Sequence, residues 1–122
     1  MRLVLHPKVY SDIDEIMGYY ERVATPGLAE EFYTELRYFM TKAADKPESF
    51  SIREGDIRRA NLRRFPYHFL FRVVGHEVRI LVVRHQYGRA GIVSPGVVLD
   101  LMRASDGRGR DAESVQAMAL LG

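Results

Sequence analysis

The spacing of apolar residues changes from a helical period to a strand period about halfway along the chain. Between residues 7 and 46 apolar residues recur every three or four positions, whereas residues 67–74 and 78–83 are rich in aromatic and β-branched residues. Each amphipathic element needs an apolar partner to cover its face, so helices in this order must pack on a sheet. The pattern therefore predicts an α+β fold of a single domain, with helices first and antiparallel strands after them.

Two amphipathic helices are predicted in the first half. The first follows a short strand at residues 2–5 and begins at Pro7, because a proline is tolerated at the first helical position. The second begins after Thr25, which can cap it, with Pro26 at its first position. The short connection favours an antiparallel pair with a shared core. The apolar stripes are Val9, Ile13, Ile16, Met17, Tyr20 and Ala24, then Leu28, Phe32, Leu36, Phe39, Met40 and Ala43. The acidic residues of these helices, Asp12 among them, are expected mostly to face solvent.

The two later strands are predicted to form a hairpin with a two-residue turn. Gly75-His76 suits a type II′ turn, in which glycine supplies the positive φ. Residues that face each other then have numbers that add to 151. On the face toward the helices this register pairs Val73 with Val78, Phe71 with Ile80, and Phe69 with Val82. A further strand is expected at residues 57–63, with its pairing left open.

Positive charge is concentrated in one segment. Residues 58–92 contain eight arginines, no lysine and a single acid, Glu77, whereas residues 1–57 have a net charge of −4. Such an asymmetry indicates an acidic or polyanionic partner for the basic segment. The alternative is a basic surface that only balances the acidic helices.

The predicted register places arginines at both ends of the hairpin, with Arg72 and Arg79 on its other face. Arg72 faces Arg79 near the turn, and Tyr67 faces Arg84 at the far end, beside His85. Opposed like charges destabilise a sheet unless an anion lies nearby, so the sequence favours a surface for phosphate or an acidic peptide. In the alternative interpretation, these arginines extend into water. His68 is expected opposite Val83, as an ordinary sheet residue.

Two further groups of residues are candidates for function. Tyr19 and Tyr38 fall off the apolar stripes and are candidate partner contacts. His85, followed by Tyr87 and Arg89, could serve metal-free RNA cleavage: His85 as acid or base, and Arg84 or Arg89 stabilising the phosphorane. The alternative is that His85 is structural.

Several classes of site are poorly supported. The chain has no cysteine, which excludes disulfides and thiolate metal sites, and it has no His-x-x-x-His pair or Gly-rich phosphate loop. We therefore expect no metal and no cofactor. No apolar run approaches the roughly 20 residues of a membrane helix, and no signal peptide opens the chain, so a cytoplasmic protein without membrane association is expected. Residues 1–92 are predicted to form the domain, and residues 93–122 an extension that is partly helical or flexible.

The order of these motifs resembles the ParE/RelE toxin superfamily, and ParE more than RelE. The resemblance rests on His6-Pro7 with Asp12-Ile13, on Gly27-Leu28-Ala29 with Glu31-Phe32, on Arg63-Arg64-Phe65-Pro66-Tyr67, and on Val78-Arg79-Ile80-Leu81-Val82-Val83-Arg84-His85. It extends over residues 2–92. The chain departs from the family after His85, where further arginines and a proline are usual, and residues 93–122 are additional.

The resemblance implies a plasmid-stabilisation toxin of a type II toxin–antitoxin system, held inactive in a hetero-oligomer with its antitoxin. ParE-type members arrest growth by inhibiting DNA gyrase, and RelE-type members cleave mRNA on the ribosome; a non-toxic remnant that only binds antitoxin is a third possibility. No catalytic residues carry over from ParE-type chains. Arg64, Tyr67, Arg84 and His85 match the family motifs and are expected to contribute to a functional surface.

Overall fold

A computed structural model of the chain describes residues 1–86. It contains β1 (Arg2–Leu5), α1 (Pro7–Val23), α2 (Pro26–Asp45), a 3-10 turn (Pro47–Ser49), β2 (Ile52–Glu54), β3 (Ile57–Asn61), β4 (Tyr67–Val74) and β5 (Glu77–His85). The strands form one sheet in the order β1-β5-β4-β3-β2. β1 is parallel to β5, and the other neighbours are antiparallel. The predicted α+β architecture is confirmed, with β2 and the parallel pairing of β1 added to it.

Both helices begin where the sequence predicts, because a side chain caps the first turn of each. The Nδ1 atom of His6 accepts a hydrogen bond from the Lys8 amide at 3.0 Å, and Pro7 follows it. The Oγ1 atom of Thr25 accepts one from the Leu28 amide at 3.1 Å, and Pro26 follows it. A proline in the first turn costs nothing there, since its missing amide hydrogen would have no helical partner.

The core lies between the two helices and one face of the sheet. Most residues of both predicted stripes are buried, while Met17, Phe39 and Ala24 are partly buried at its margin. From the sheet, Phe69, Phe71 and Ile80 are fully buried in the same core. Four rings meet edge to face or tilted at the centre, with centroids 5.3–6.3 Å apart: Tyr20, Phe32, Phe65 and Tyr67.

Two helix acids are buried, which corrects the expectation for Asp12. β1 ends at Leu5, so the amide of Val83 on β5 has no neighbouring strand, and the Oδ2 atom of Asp12 accepts from it at 3.0 Å. The Oε2 atom of Glu35 accepts from the amides of Arg63 and Arg64, both at 3.0 Å. Burial raises the pKa of Glu35 and these backbone bonds oppose the rise. Each carboxylate supplies an acceptor that a buried amide would otherwise lack.

The hairpin register follows the prediction near the turn and departs from it beyond Phe71. Gly75 has a φ of 61° and no other residue of the turn has a positive φ, as a type II′ turn requires. Val73 faces Val78 and Phe71 faces Ile80 as predicted, but Phe69 faces Val83 rather than Val82. The shift comes from a β-bulge between Leu70 and Phe71, across which β5 contains one extra residue.

The predictions for residues 93–122, for the boundary after residue 92, and for Tyr87 and Arg89 lie outside the described residues. Within residues 1–86, neither helix is long and apolar enough to cross a membrane.

Candidate functional site

The face of the sheet turned away from the helices has two groups of charged residues, one at each end of the β4–β5 hairpin. The turn-end cluster contains Arg2, Asp56, Arg72, Glu77 and Arg79. The far-end cluster contains Arg53, Arg59, His68 and Arg84. Strand alternation gives them this face, because Arg72 faces Arg79 and His68 faces Arg84, while Phe69, Phe71 and Ile80 point into the core.

Every arginine of the turn-end cluster is paired with a carboxylate. Arg72 donates to the Oδ2 atom of Asp56 from Nε at 3.1 Å and from Nη2 at 2.8 Å. Arg79 donates to Glu77 at 3.1 Å, and Arg2 pairs with the same carboxylate. The hydrogen bond from Arg72 lowers the pKa of Asp56, and the one from Arg79 lowers the pKa of Glu77. Arg72 and Arg79 are opposed as predicted, but the protein's own acids supply the negative charge, so no external anion is needed there.

The far-end cluster has the opposite character. The Nε atom of Arg84 donates to the Nε2 atom of His68 at 3.0 Å. Arg59 donates to the Oδ1 atom of Asn61 at 2.8 Å and to the carbonyl of Gln86 at 3.3 Å. Within residues 1–86, neither Arg53, Arg59 nor Arg84 forms an ion pair with a carboxylate.

Burial and the neighbouring arginines keep His68 neutral. Its side chain lies beneath the cluster with 1% exposure, and its pKa falls to about 4, first through burial and then through Arg59, Arg84 and Arg53. Because the Nε2 atom accepts from Arg84, the ring proton is on Nδ1, which is buried and has no partner among the described residues. The pKa of Arg59 is lowered too, by burial first and then by Arg53 and Arg84. Among the described residues, the cluster is therefore a positive charge without a carboxylate partner.

The bulge decides which residues at the end of β5 reach this cluster. The predicted register paired Tyr67 with Arg84 and His68 with Val83; instead Tyr67 faces His85, and His68 faces Arg84. One extra residue moves each side chain beyond it to the other face. Arg84 thus joins the outer face, whereas the ring of His85 lies 5.7 Å from that of Tyr67 on the helix side.

Tyr67 itself is a core residue, which corrects its expected place on a surface. It is 1% exposed, and burial raises the pKa of its hydroxyl. It pairs with His85 across the strands and packs edge to face on the rings of Tyr20 and Phe32. Its role in the described structure is to join the sheet to the helices.

Arg64, Tyr19 and Tyr38 do not belong to either cluster. The Arg64 side chain is 13% exposed; it pairs with Glu31 at 3.2 Å and lies over the Phe65 ring at 5.2 Å. Tyr19 is half-buried beside the Tyr20 ring at 5.8 Å. Tyr38 is half-buried against Phe39, with the Lys42 ammonium 5.2 Å from its ring.

Sequence reasoning did not single out Arg53, Arg59 or His68. A usable signal lay in the spacing of Arg79 and Arg84, which are five positions apart across an apolar run. With strict alternation, an odd spacing places one of the two arginines on the helix face. If both are to reach the outer face, a bulge must lie between them.

Among residues 1–86, no group of three or more histidines, cysteines or acids is arranged to hold a metal ion. The far-end cluster contains guanidinium groups, and such groups bind carboxylate or phosphate oxygens in a planar, bidentate manner. The fold and this cluster thus define a small α+β protein with an arginine-rich end of its sheet.

The profile of the ParE toxin family, the toxin of the type II toxin–antitoxin system parDE, matches residues 3–88. The chain belongs to this family. Among solved structures, it is similar to a chain of the chromosomal ParDE TA system from P. aeruginosa, with 23% identity and a TM-score of 0.63. The match covers 70% of this chain and 95% of that one, and at this identity it shows the fold. No curated protein gives a significant match.

Proposed function

We propose that this chain is an active toxin that arrests growth in the cytoplasm by inhibiting DNA gyrase, and that its cognate antitoxin neutralises it in a hetero-oligomer. The observation that carries the proposal is the match of the ParE toxin family over residues 3–88, which extends from β1 to the end of β5. The stabilisation of a plasmid or chromosomal locus would follow from this pairing of toxin and antitoxin.

The geometry of β5 counts against RNA cleavage by His85 and Arg84, which is the alternative to gyrase inhibition. A metal-free nuclease needs its acid or base and its cationic stabiliser on the same side of the scissile phosphate. His85 and Arg84 point to opposite faces of the sheet, so this pair cannot act together on one phosphate. His68 does lie beside Arg84, but its pKa of about 4 and its 1% exposure make it a poor proton donor or acceptor near neutral pH. A nuclease that uses His85 would have to take its cationic stabiliser from beyond the described range.

The experiment is induced expression of the full chain in a bacterial host, with and without the antitoxin encoded beside it. Growth, DNA breaks and protein synthesis are followed together after induction. We expect growth arrest with DNA breaks appearing before translation declines, and relief of both by the antitoxin. Purified chain should also inhibit DNA supercoiling by gyrase in a reconstituted assay.

A variant separates the two modes of action. His85→Gln removes the imidazole that a nuclease would need, and we expect its toxicity to match that of the unmodified chain when thermal melts show an intact fold. Arrest in which mRNA is cut and translation stops first, and which His85→Gln abolishes, would show a nuclease instead. The absence of any arrest would show a remnant that only binds its antitoxin.

A further inference from the structure

We propose that the far-end cluster of Arg53, Arg59 and Arg84 is a docking site for a carboxylate of an acidic polypeptide segment. The partner that carries this segment is taken to be the antitoxin, and in that respect the inference rests on the proposed function. The binding site itself is supported by the charges and hydrogen bonds of this sheet face alone.

The cluster has donors that the described structure leaves available. Arg84 uses only Nε, toward His68, so both of its terminal amino groups have no partner within residues 1–86. Arg59 uses Nε and Nη2, which leaves Nη1, and Arg53 forms no hydrogen bond or ion pair in that range. A carboxylate that meets such a group forms charge-assisted hydrogen bonds, which are shorter and stronger than neutral ones.

His68 prepares the site by holding Arg84 in place. A neutral imidazole accepts the Nε–H of Arg84, which fixes the guanidinium plane without neutralising its charge. Had an acid occupied position 68, it would have paired with Arg84 and closed the site. The arrangement therefore keeps an oriented cation on a partly buried surface, where binding an anion relieves the repulsion among three arginines.

The distribution of charge favours a carboxylate on a polypeptide over a nucleic acid. An extended polyanion requires cations in a row, one for each phosphate it contacts. On this face the row is interrupted, because Asp56 and Glu77 are bonded to the three arginines of the turn end and leave a net charge of only +1 there. Within residues 1–86, most of the uncompensated charge of this face is thus concentrated at the far end, which matches one or two acidic side chains.

The test uses the purified full chain and hexaglutamate as the probe, with hexaglutamine as the uncharged control peptide. Binding is followed by the NMR signals of the arginine Nε–H groups and of the His68 ring. We expect hexaglutamate to shift the signals of Arg84, Arg59 and His68, and hexaglutamine to shift none of them. Shifts confined to the turn-end arginines, or no shifts at all, would overturn the proposal.

Three variants that each replace one arginine by glutamine, and so have equal net charge, show where hexaglutamate binds. Arg53→Gln and Arg84→Gln should each weaken hexaglutamate binding about tenfold, the loss expected for a charge-assisted contact. Arg79→Gln is the matched control, since it removes an arginine from the same face but from the paired end, and it should change the affinity by less than about twofold. Arg53 makes no bond in the described structure, so its variant tests the site without disturbing the fold. Equal losses in all three variants would show that only overall charge matters.

Two further experiments distinguish an acidic peptide from a nucleic acid as the ligand, and the failure of this inference from the failure of the proposed function. Oligothymidylate should bind more weakly than hexaglutamate at the same concentration of negative charge; tighter binding that depends on Arg84 would show a nucleic-acid site and overturn the inference. If the antitoxin still neutralises an Arg53→Gln, Arg84→Gln double variant as well as the original chain, the site is not its docking point, and the proposed function stands. If no antitoxin neutralises the chain but hexaglutamate binds as expected, the proposed function fails and the acidic-peptide site remains.

Discussion

The two ends of the outer sheet face have the same kind of residue in opposite situations. At the turn end, Arg72 and Arg79 face each other across the hairpin, yet each is bonded to a carboxylate of the same chain. At the far end, Arg59 and Arg84 lie beside a buried neutral histidine and have no carboxylate partner among residues 1–86. The number of arginines on a face therefore does not identify a binding site. What identifies it is the absence of an internal counter-charge.

The two ends of the face also differ in their exposure to solvent. At the turn end Asp56 is solvent-exposed and Glu77 is half-buried beside two exposed arginines, and ion pairs open to solvent contribute little to stability because water screens them. The far end includes His68, which is almost fully buried, and Arg59, whose pKa is lowered first by burial. Uncompensated charge in a poorly solvated place costs folding free energy, and that cost is expected where a ligand supplies the missing charge.

The largest predicted effect concerns the pH dependence that His68 gives to the far end. Its pKa is about 4 in the folded chain, below its ordinary 6.5, so the unfolded chain binds the proton more tightly. The stability that neutral His68 contributes is fully present above the pKa of the unfolded chain. It is lost as the pH falls toward the pKa of the folded chain. Between about pH 7.5 and about pH 5 this amounts to roughly 2 kcal/mol of unfolding free energy.

The measurement is denaturant unfolding at several pH values, in buffers without phosphate or sulfate, for the unmodified chain and for His68→Gln. Glutamine can accept a hydrogen bond from the Nε of Arg84 but does not titrate. Between about pH 7.5 and about pH 5 the variant should therefore lose roughly 2 kcal/mol less unfolding free energy than the unmodified chain. Glu35, whose raised pKa acts in the opposite direction, is present in both chains and cancels in the difference. Parallel pH profiles would show that His68 is not held neutral by the cluster.

The second prediction concerns a variant that gives the far end a carboxylate of its own, as the turn end has. Asn61 accepts from the Nε of Arg59 at 2.8 Å, so Asn61→Asp places a carboxylate where an amide oxygen now lies. The new ion pair should raise the free energy of unfolding by up to about 1 kcal/mol, because it offsets the repulsion among the arginines. It should weaken hexaglutamate binding about fivefold, since the site then has its own anion.

Arg79→Gln, which lowers the net charge by the same amount, is the control for this experiment. If Asn61→Asp stabilises the chain but leaves hexaglutamate binding unchanged, the peptide does not contact Arg59. If it destabilises the chain, the far end is already compensated by a group beyond the described residues, and the contrast between the two ends fails.

The sequence predicted those parts of the fold that depend on local chemistry. The helix start at Pro7, the cap at Thr25, the turn at Gly75 and the apolar helix stripes each follow from neighbouring residues, and all are confirmed. The arginine-bearing face was also foreseen, with Arg72 opposite Arg79. Local propensity and periodicity are sufficient for such features, because they involve contacts close in the chain.

The features that sequence reasoning missed depend on contacts between distant segments. The bulge falls within the apolar run Ile80-Leu81-Val82-Val83, where any of several registers buries apolar side chains equally well. One extra residue there moved Arg84 to the outer face and His85 to the helix side, and so changed the composition of the site. Asp56 lies sixteen positions from Arg72 and Asp12 seventy-one from Val83, so neither pairing shows in a local pattern.

The smallest predicted effect comes from opening the turn end. Asp56→Asn removes the only carboxylate bonded to Arg72 in the described structure, and it should create a second, weaker point of uncompensated charge. Because this pair is exposed to solvent, the thermal midpoint should fall by less than Asn61→Asp raises it. The pKa of Asp56 is lowered by Arg72, so its contribution is present near neutral pH and is lost as the pH falls through the folded pKa; the variant should show no such loss.

Hexaglutamate binding gives the sharper readout for Asp56→Asn. We expect its affinity to rise by no more than about twofold, with new NMR shifts at Arg72 added to those at Arg84. A gain as large as the loss in Asn61→Asp would mean that removing any acid from this face is sufficient to make a site. The oriented, half-buried Arg84 and its neutral histidine would then have no special part in binding. A small gain, confined to Arg72, would show that burial and orientation at the far end contribute to affinity beyond charge alone.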